Sequence, residues 1–177
     1  MSNIFYHIAR LNPTLHERAG FDCGVDPLNR YLRERAVQDS RRKIAGCWVL
    51  TQDEQPGNVL GFYTLSAEAV DLRELGAADP EAVKRLPRYP RVGAVLLGHL
   101  AVAKSQHRNG LGELLLYDAM HRVLHTEIPA ALMVADPKDG QAGMFYQKHG
   151  FEWLNAERLF ITMQRISDML GKPDSHR

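Results

Sequence analysis

The run from Val95 to Met120 most constrains how this chain can fold. An apolar stretch, Val95 to Ala103, gives way to a short polar loop, Lys104 to Asn109. Gly110-Leu111-Gly112 then opens an amphipathic segment that continues Leu114-Leu115-Leu116-Tyr117-Asp118-Ala119-Met120. This is a strand, a tight loop and a helix. The first amides of a helix lack internal partners, and the helix dipole favours negative charge beside them. Glycine also lets an anion approach the backbone closely. Two familiar phosphate loops do not fit. Leu115 stands where G-x-G-x-x-G needs its third glycine, and no G-K-[ST] follows. Taken alone, a G-x-G turn also suits an ordinary strand–turn–helix junction.

A second block follows downstream. The apolar strand Ala130 to Ala135 leads into Asp136-Pro137-Lys138-Asp139-Gly140, a short helix over Gln141 to His149 containing Phe145-Tyr146, and Gly150-Phe151. In this order the two blocks resemble the second half of the GNAT N-acetyltransferase superfamily. The resemblance implies an α/β fold with a mixed sheet, its two central parallel strands splayed apart and helices flanking it. It implies acetyl-CoA as co-substrate, with the pyrophosphate on the first loop and a tyrosine beside the thioester sulfur.

Further blocks extend the likeness over nearly the whole chain. Phe21 to Gly24, Leu28 to Leu32, Gly61 to Ala67, Leu86-Pro87-Arg88-Tyr89-Pro90 and Leu96 to Val102 are collinear. They are similar to the GNAT toxins of bacterial type II toxin–antitoxin systems, which acetylate aminoacyl-tRNA. That likeness implies aminoacyl-tRNA as acceptor, a homodimer, and a ribbon–helix–helix antitoxin whose tail covers the active cleft.

Carried onto this sequence, the resemblance gives each residue a role. The backbone of Leu100, Ala101 and Val102 would pair with the pantetheine arm like an added strand. An N–H there would polarise the acetyl carbonyl. The amides of His107, Arg108, Asn109, Gly110, Leu111 and Gly112 would hold the pyrophosphate. Tyr146 is the expected catalytic acid, donating to the departing CoA sulfur. By residue type alone, Phe145 and Tyr146 also read as core aromatics. Two departures stand out. His107 replaces the glutamine or arginine usual three residues before the first glycine, with Arg108 beside it. His99 replaces the arginine usual in the toxins. Glu68 and Asp71, expected just past a strand end, are candidates for a weak general base or for solvated surface.

Composition bounds the rest. The chain has 177 residues and is 45% hydrophobic, which suits one domain, expected over 1–168 with a polar tail over 169–177. No stretch approaches the roughly 18 apolar residues of a spanning helix, and no signal segment is visible at the start. Cys23 and Cys47 make no disulfide framework, which points to reduced thiols and the cytoplasm. His121 and His125 share a helix face but lack a third ligand, so no metal is expected.

The net charge is +1, yet it is unevenly spread. Arg30, Arg33, Arg35, Arg41, Arg42 and Lys43 outweigh Glu34 and Asp39, and Lys84, Arg85, Arg88 and Arg91 meet no acid in their run. Solvated faces account for such clusters, and so does a surface that tracks a phosphate backbone. On the second reading Arg30, Arg33, Arg41, Arg42, Lys43, Lys84, Arg85 and Arg88 face the tRNA.

Local pattern places the remaining elements. Asn3 to Arg10 reads as a strand. Asp26-Pro27 reads as an N-cap and first turn of a basic helix reaching Ser40 to Lys43. Cys47 to Thr51 and Val59 to Ser66 read as a hairpin around Asp53 to Asn58. Asp79-Pro80 suggests a short capped helix to Arg85, and Leu86 to Pro90 an extended loop. Glu152 to Leu154 and Leu159 to Met163 suggest a closing antiparallel pair. Three functions compete: a translation-blocking acetyltransferase of charged tRNA, an acetyltransferase of a small-molecule or protein amine, and a CoA-binding module without catalysis.

Overall fold

A computed structural model of the chain describes residues 4–75 and 80–171. The fold is mixed α/β. Strands β1 (Tyr6–Arg10), β2 (Gly46–Gln52), β3 (Gly61–Asp71), β4 (Arg91–Val102), β5 (Leu132–Ala135), β6 (Glu152–Trp153) and β7 (Leu159–Thr162) form a seven-stranded sheet in the order β1-β2-β3-β4-β5-β7-β6. The helices are α1 (Asp26–Glu34), α2 (Ala36–Arg41), α3 (Pro80–Val83), α4 (Leu111–Leu124), α5 (Gly140–Lys148) and α6 (Met163–Leu170). Contacts divide the chain into two compact units, Met1–Ser66 with Gly98–Ala119, and Ala67–Leu97 with Met120–Arg177.

In the first unit, β2 pairs antiparallel with β1 and with β3. The turn between β2 and β3 is closed by the Asn58 amide donating to the Gln55 carbonyl at 3.0 Å. This is the hairpin that the Asp-Pro-Gly-Asn chemistry predicts. Leu32 and Ala36 pack with Phe21, Cys47, Phe62 and Ala101 in one apolar cluster. The basic helix differs from expectation in two ways. Its cap is Val25 in extended geometry, with Asp26 already inside the first turn. It also breaks at Arg35, whose φ of −117° lies outside the helical well, before α2 resumes. No glycine or proline marks that break.

In the second unit, β5 pairs parallel with β4 from Ala94–Leu132 to Leu97–Ala135. It pairs antiparallel with β7, which pairs with β6. Gly98 to Val102 carry β4 on past its last paired residue with β5. Leu72, Ala82, Leu86, Leu132, Val134 and Phe160 form this unit's core. Asp139 caps α5 by accepting from the Ala142 amide at 2.8 Å. Helix α6 was not foreseen. Met163 and Leu170 bound it, Thr162 caps it by accepting from the Arg165 amide at 3.2 Å, and Ile166 is buried. Met169 and Leu170 are therefore helical, not the start of a polar tail. The expected Asp79 cap and positions 172–177 lie outside the described residues.

Candidate active site

The loop after β4 is built by tying down both of its ends. The Ala103 amide donates to the Leu60 carbonyl at 2.8 Å, and the Lys104 amide to the Asp22 carbonyl at 2.9 Å. Lys104 also reaches the Asp22 carboxylate with its ammonium group at 2.8 Å. Asp22 accepts from the Gly24 amide at 2.8 Å and from Asn29 Nδ2 at 3.0 Å. The bonds from Lys104, Gly24 and Asn29 hold the Asp22 carboxyl down at about 2. A buried asparagine thus couples the start of α1 to the base of this loop.

The His107 ring turns back onto the strand, its Nε2 lying 2.8 Å from the Val102 carbonyl. A carbonyl only accepts, so Nε2 carries a hydrogen. The ring latches the loop to the end of β4. Its side chain thus serves as a clasp, which leaves the expected role of the loop amides untouched. Arg108 (φ +66°) and Gly110 (φ +73°) both adopt left-handed backbone. Such turns gather amides into a concavity that suits an anion. A Cβ added at Gly110 would meet nothing within 4 Å, so space is open on that side of the loop. The helical ladder begins with the Leu114 amide donating to the Gly110 carbonyl at 3.1 Å. The amides of Leu111 and Gly112 precede it. Leu111 is buried and anchors the turn, while His107, Arg108, Asn109 and Gly110 are exposed. The residues present therefore fit a pyrophosphate cradle. On the strand itself, Ala101 points into the core, and Leu100 and Val102 are half-buried.

His99 lies on the core-facing side of β4. Its ring stacks on Tyr31 with centroids 3.7 Å apart, and Nδ1 lies 2.8 Å from Thr64 Oγ1. Burial pulls its pKa below the ordinary 6.5, partly offset by Asp39, so the ring is neutral at physiological pH. Tyr31 in turn donates to Asp39 at 3.0 Å. At this position of β4 the chain therefore presents an uncharged, stacked ring.

Tyr146 sits on α5 in the second unit. It is 8% exposed and packs against Phe145 and Phe151, with centroids at 5.4 and 5.2 Å. Burial, then the nearby charge of Asp136, pushes the phenol well above its ordinary range. The proton is therefore retained across physiological pH. A cavity of about 800 Å³ lies in the same unit, bordered by Asp71, Glu74, Asp136, Asp139 and Arg158. Arg158 clamps Asp136 through two bonds of 2.6 and 2.7 Å and also reaches Glu68 at 3.2 Å. Sequence reading missed Arg158, which stands in a turn with no motif around it. Glu68 and Asp71 lie inside β3, not beyond its end. Asp71 is held well below the usual carboxylate range by Arg73. Both carboxylates are thus engaged, which weakens either as a base.

The eight basic residues expected to face RNA are all exposed. Arg30, Arg33, Arg41, Arg42 and Lys43 belong to the first unit, and Lys84, Arg85 and Arg88 to the second. Arg30 pairs with Asp26 at 3.4 Å, Lys84 with Glu81 at 2.7 Å, and Arg85 with Glu152. Both cysteines are buried and free, and burial pushes the Cys47 thiol up to about 12, which makes it inert. His125 Nδ1 lies 2.8 Å from the His121 carbonyl. No helix among the described residues is long and apolar enough to cross a membrane.

Comparison with known proteins places this geometry. The family model described as acetyltransferase (GNAT) domain matches residues 43–153. A tRNA-acetylating toxin of Mycobacterium tuberculosis is 32% identical over 145 residues, covering 81% of this chain and 82% of its own. Among solved structures, AtaT complexed with acetyl-methionyl-tRNAfMet superposes with a TM-score of 0.81 at 26% identity, covering 94% of this chain and 100% of that one. A tyrosine-to-phenylalanine variant of KacT gives a TM-score of 0.82 at 25% identity, covering 93% and 98%.

Proposed function

Because the chain belongs to the GNAT acetyltransferase family, we propose that it moves the acetyl group of acetyl-CoA to the α-amine of aminoacyl-tRNA. The relative named a tRNA-acetylating toxin, matched over most of both chains, is the observation that carries the choice of acceptor. The tRNA-bound AtaT structure supports it. Blocking the α-amine of a charged tRNA stops it from being elongated normally, so the protein acts as a translation-blocking toxin.

In this reading the chain through α6, which ends at Leu170, acts as the one catalytic domain. Acetyl-CoA supplies an acyl group activated as a thioester. The amides from His107 to Gly112 bind the pyrophosphate, and the backbone of Leu100, Ala101 and Val102 holds the pantetheine arm. A backbone N–H of this strand donates to the acetyl oxygen as negative charge builds there. The neutral amine forms the new C–N bond while the C–S bond breaks. Tyr146 donates its phenolic hydrogen to the departing sulfur, and water removes the proton of the new ammonium. A strong base is unnecessary, since an α-amine has a pKa of about 7.7–8.0 against about 10.4 for lysine. The engaged state of Glu68 and Asp71 agrees with that. The exposed cations Arg30, Arg33, Arg41, Arg42, Lys43, Lys84, Arg85 and Arg88 receive the RNA backbone. As for partners, the protein works as a cytoplasmic homodimer restrained by a ribbon–helix–helix antitoxin.

The test offers labelled acetyl-CoA with charged tRNA, uncharged tRNA, a polyamine and a lysine-rich protein in parallel. Label on charged tRNA alone is expected. Label on the polyamine or the protein instead would replace this acceptor with a small-molecule or protein amine.

A further inference from the structure

The segment from Lys84 to Arg91 combines an exposed aromatic ring, unusual rigidity and a run of positive charge without acids. Tyr89 is 70% exposed, the most exposed large aromatic among the described residues. Its backbone is not free to relax. Pro87 and Pro90 flank it, and each fixes its own φ and restricts the residue before it. The Leu72 amide donates to the Pro90 carbonyl at 2.8 Å, pinning the loop to the end of β3. Leu86, 8% exposed, plugs the other end into the core. The loop thus holds the Tyr89 ring in water on a restrained backbone.

Tyr89 also borders a cavity of about 410 Å³ floored by Leu72 and Leu86, with Arg73, Lys84 and Arg88 around it. That volume falls in the range of small-ligand sites, roughly 300–1,000 Å³. Arg73 is engaged with Asp71, and Lys84 with Glu81. Arg88, next to the ring, makes no ion pair among the described residues. An apolar floor, an aromatic face and a cationic rim match one ligand chemistry: a flat, uncharged base joined to a phosphate. Unpaired nucleotides are held in this way, by stacking on aromatic rings and by cations on the backbone. Duplex RNA keeps its bases stacked inside and has none to offer such a ring.

The geometry points to Tyr89 as a stacking platform for an unpaired nucleotide of the acceptor RNA, with Arg88 on its phosphate. This deepens the proposed function and rests on it for the identity of the RNA. Arg85, tied to Glu152, takes no part in the platform.

The experiment measures binding of fluorescently labelled, uncharged tRNA, so that it does not depend on turnover. Tyr89→Leu removes the π-face but keeps an apolar side chain, and Tyr89→Phe keeps the face. The expected result is a 5- to 150-fold weaker Kd for Tyr89→Leu, about the span of one base–aromatic stack. Tyr89→Phe should bind like wild type, and acetyl-CoA affinity should be unchanged in both. Equal tRNA affinity for Tyr89→Leu and wild type would overturn the platform. So would a change of oligomeric state in Tyr89→Leu with tRNA affinity intact, which would make this face a contact between copies. If wild type binds tRNA through Tyr89 yet acetylates no charged tRNA, the platform stands and the proposed reaction falls.

Discussion

At the scale of single residues, the chemistry depends on protons held where burial wants them. The Tyr146 phenol is pushed up by burial and by Asp136, so it remains a donor throughout the physiological range. Tyr146→Phe should preserve packing against Phe145 and Phe151 and leave acetyl-CoA affinity intact. It should lower turnover by about 10²–10⁴-fold, the usual worth of a positioned acid. Single-turnover kinetics beside calorimetry would separate the two effects, and near-normal turnover would reduce Tyr146 to a core aromatic. In the proposed mechanism the acid form is the active one, so with its pKa raised turnover should show no alkaline loss from this group below the ordinary phenol value of about 10. His99 and His16 behave in the opposite sense. Burial lowers both, and Arg18 lowers His16 further. As pH falls below 6.5 the unfolded chain takes up these protons first, so their stabilising effect is complete above 6.5 and lost as pH drops toward the folded values. Melting curves at about pH 7.5 and 5.5 should differ less in His99→Gln than in wild type. An unchanged difference would mean that His99 is not buried neutral.

At the scale of elements, the β4 loop and the start of α4 are where sequence and structure agree most closely, and for a physical reason. A glycine pair between an apolar run and an amphipathic run leaves few alternatives, and Gly110 does take up left-handed backbone. Gly110→Ala should cost about 1–2 kcal/mol through that backbone alone, since an added methyl meets no neighbour. Calorimetry should show weaker acetyl-CoA binding. Unchanged binding and melting would remove the anion-cradle argument. Elements without punctuation were harder to read. The break at Arg35 has no glycine or proline to announce it. Helix α6 was hidden because Leu159 to Met163 reads as one apolar strand, although Thr162 with Ile166 four residues on is a capped helical pattern. Thr162→Ala should lower stability by about 0.5–2 kcal/mol, and urea melts would register it. The clasp of His107 on Val102 spans 5 residues of an irregular loop, and the clamp of Arg158 on Asp136 spans 22. No spacing rule signals them.

At the scale of the whole molecule, a near-neutral chain carries its excess cations on particular exposed stretches. Composition alone therefore understates what it can bind. The strand–loop–helix blocks were legible because both are local runs of sequence, while the proposed acceptor surface reads in the sequence only as charge, and the exposure of Tyr89 beside it comes from the structure. Reversing Arg33, Arg41 and Arg42 together should weaken tRNA binding and flatten its dependence on salt, since fewer counterions are released. Acetyl-CoA affinity should not change. Arg85 should contribute less than these three, being paired with Glu152, and filter binding at two salt concentrations would rank them. The central claim concerns where the acetyl group ends up, and a mass measurement decides it. Charged tRNA is incubated with the protein and acetyl-CoA, then digested with nuclease, and the 3′-terminal aminoacyl-adenosine is weighed. One acetyl group on the α-amine of the amino acid, absent with Tyr146→Phe, is the predicted result. An unmodified terminal aminoacyl-adenosine, with acetyl groups found instead on a polyamine or a protein lysine, would contradict it.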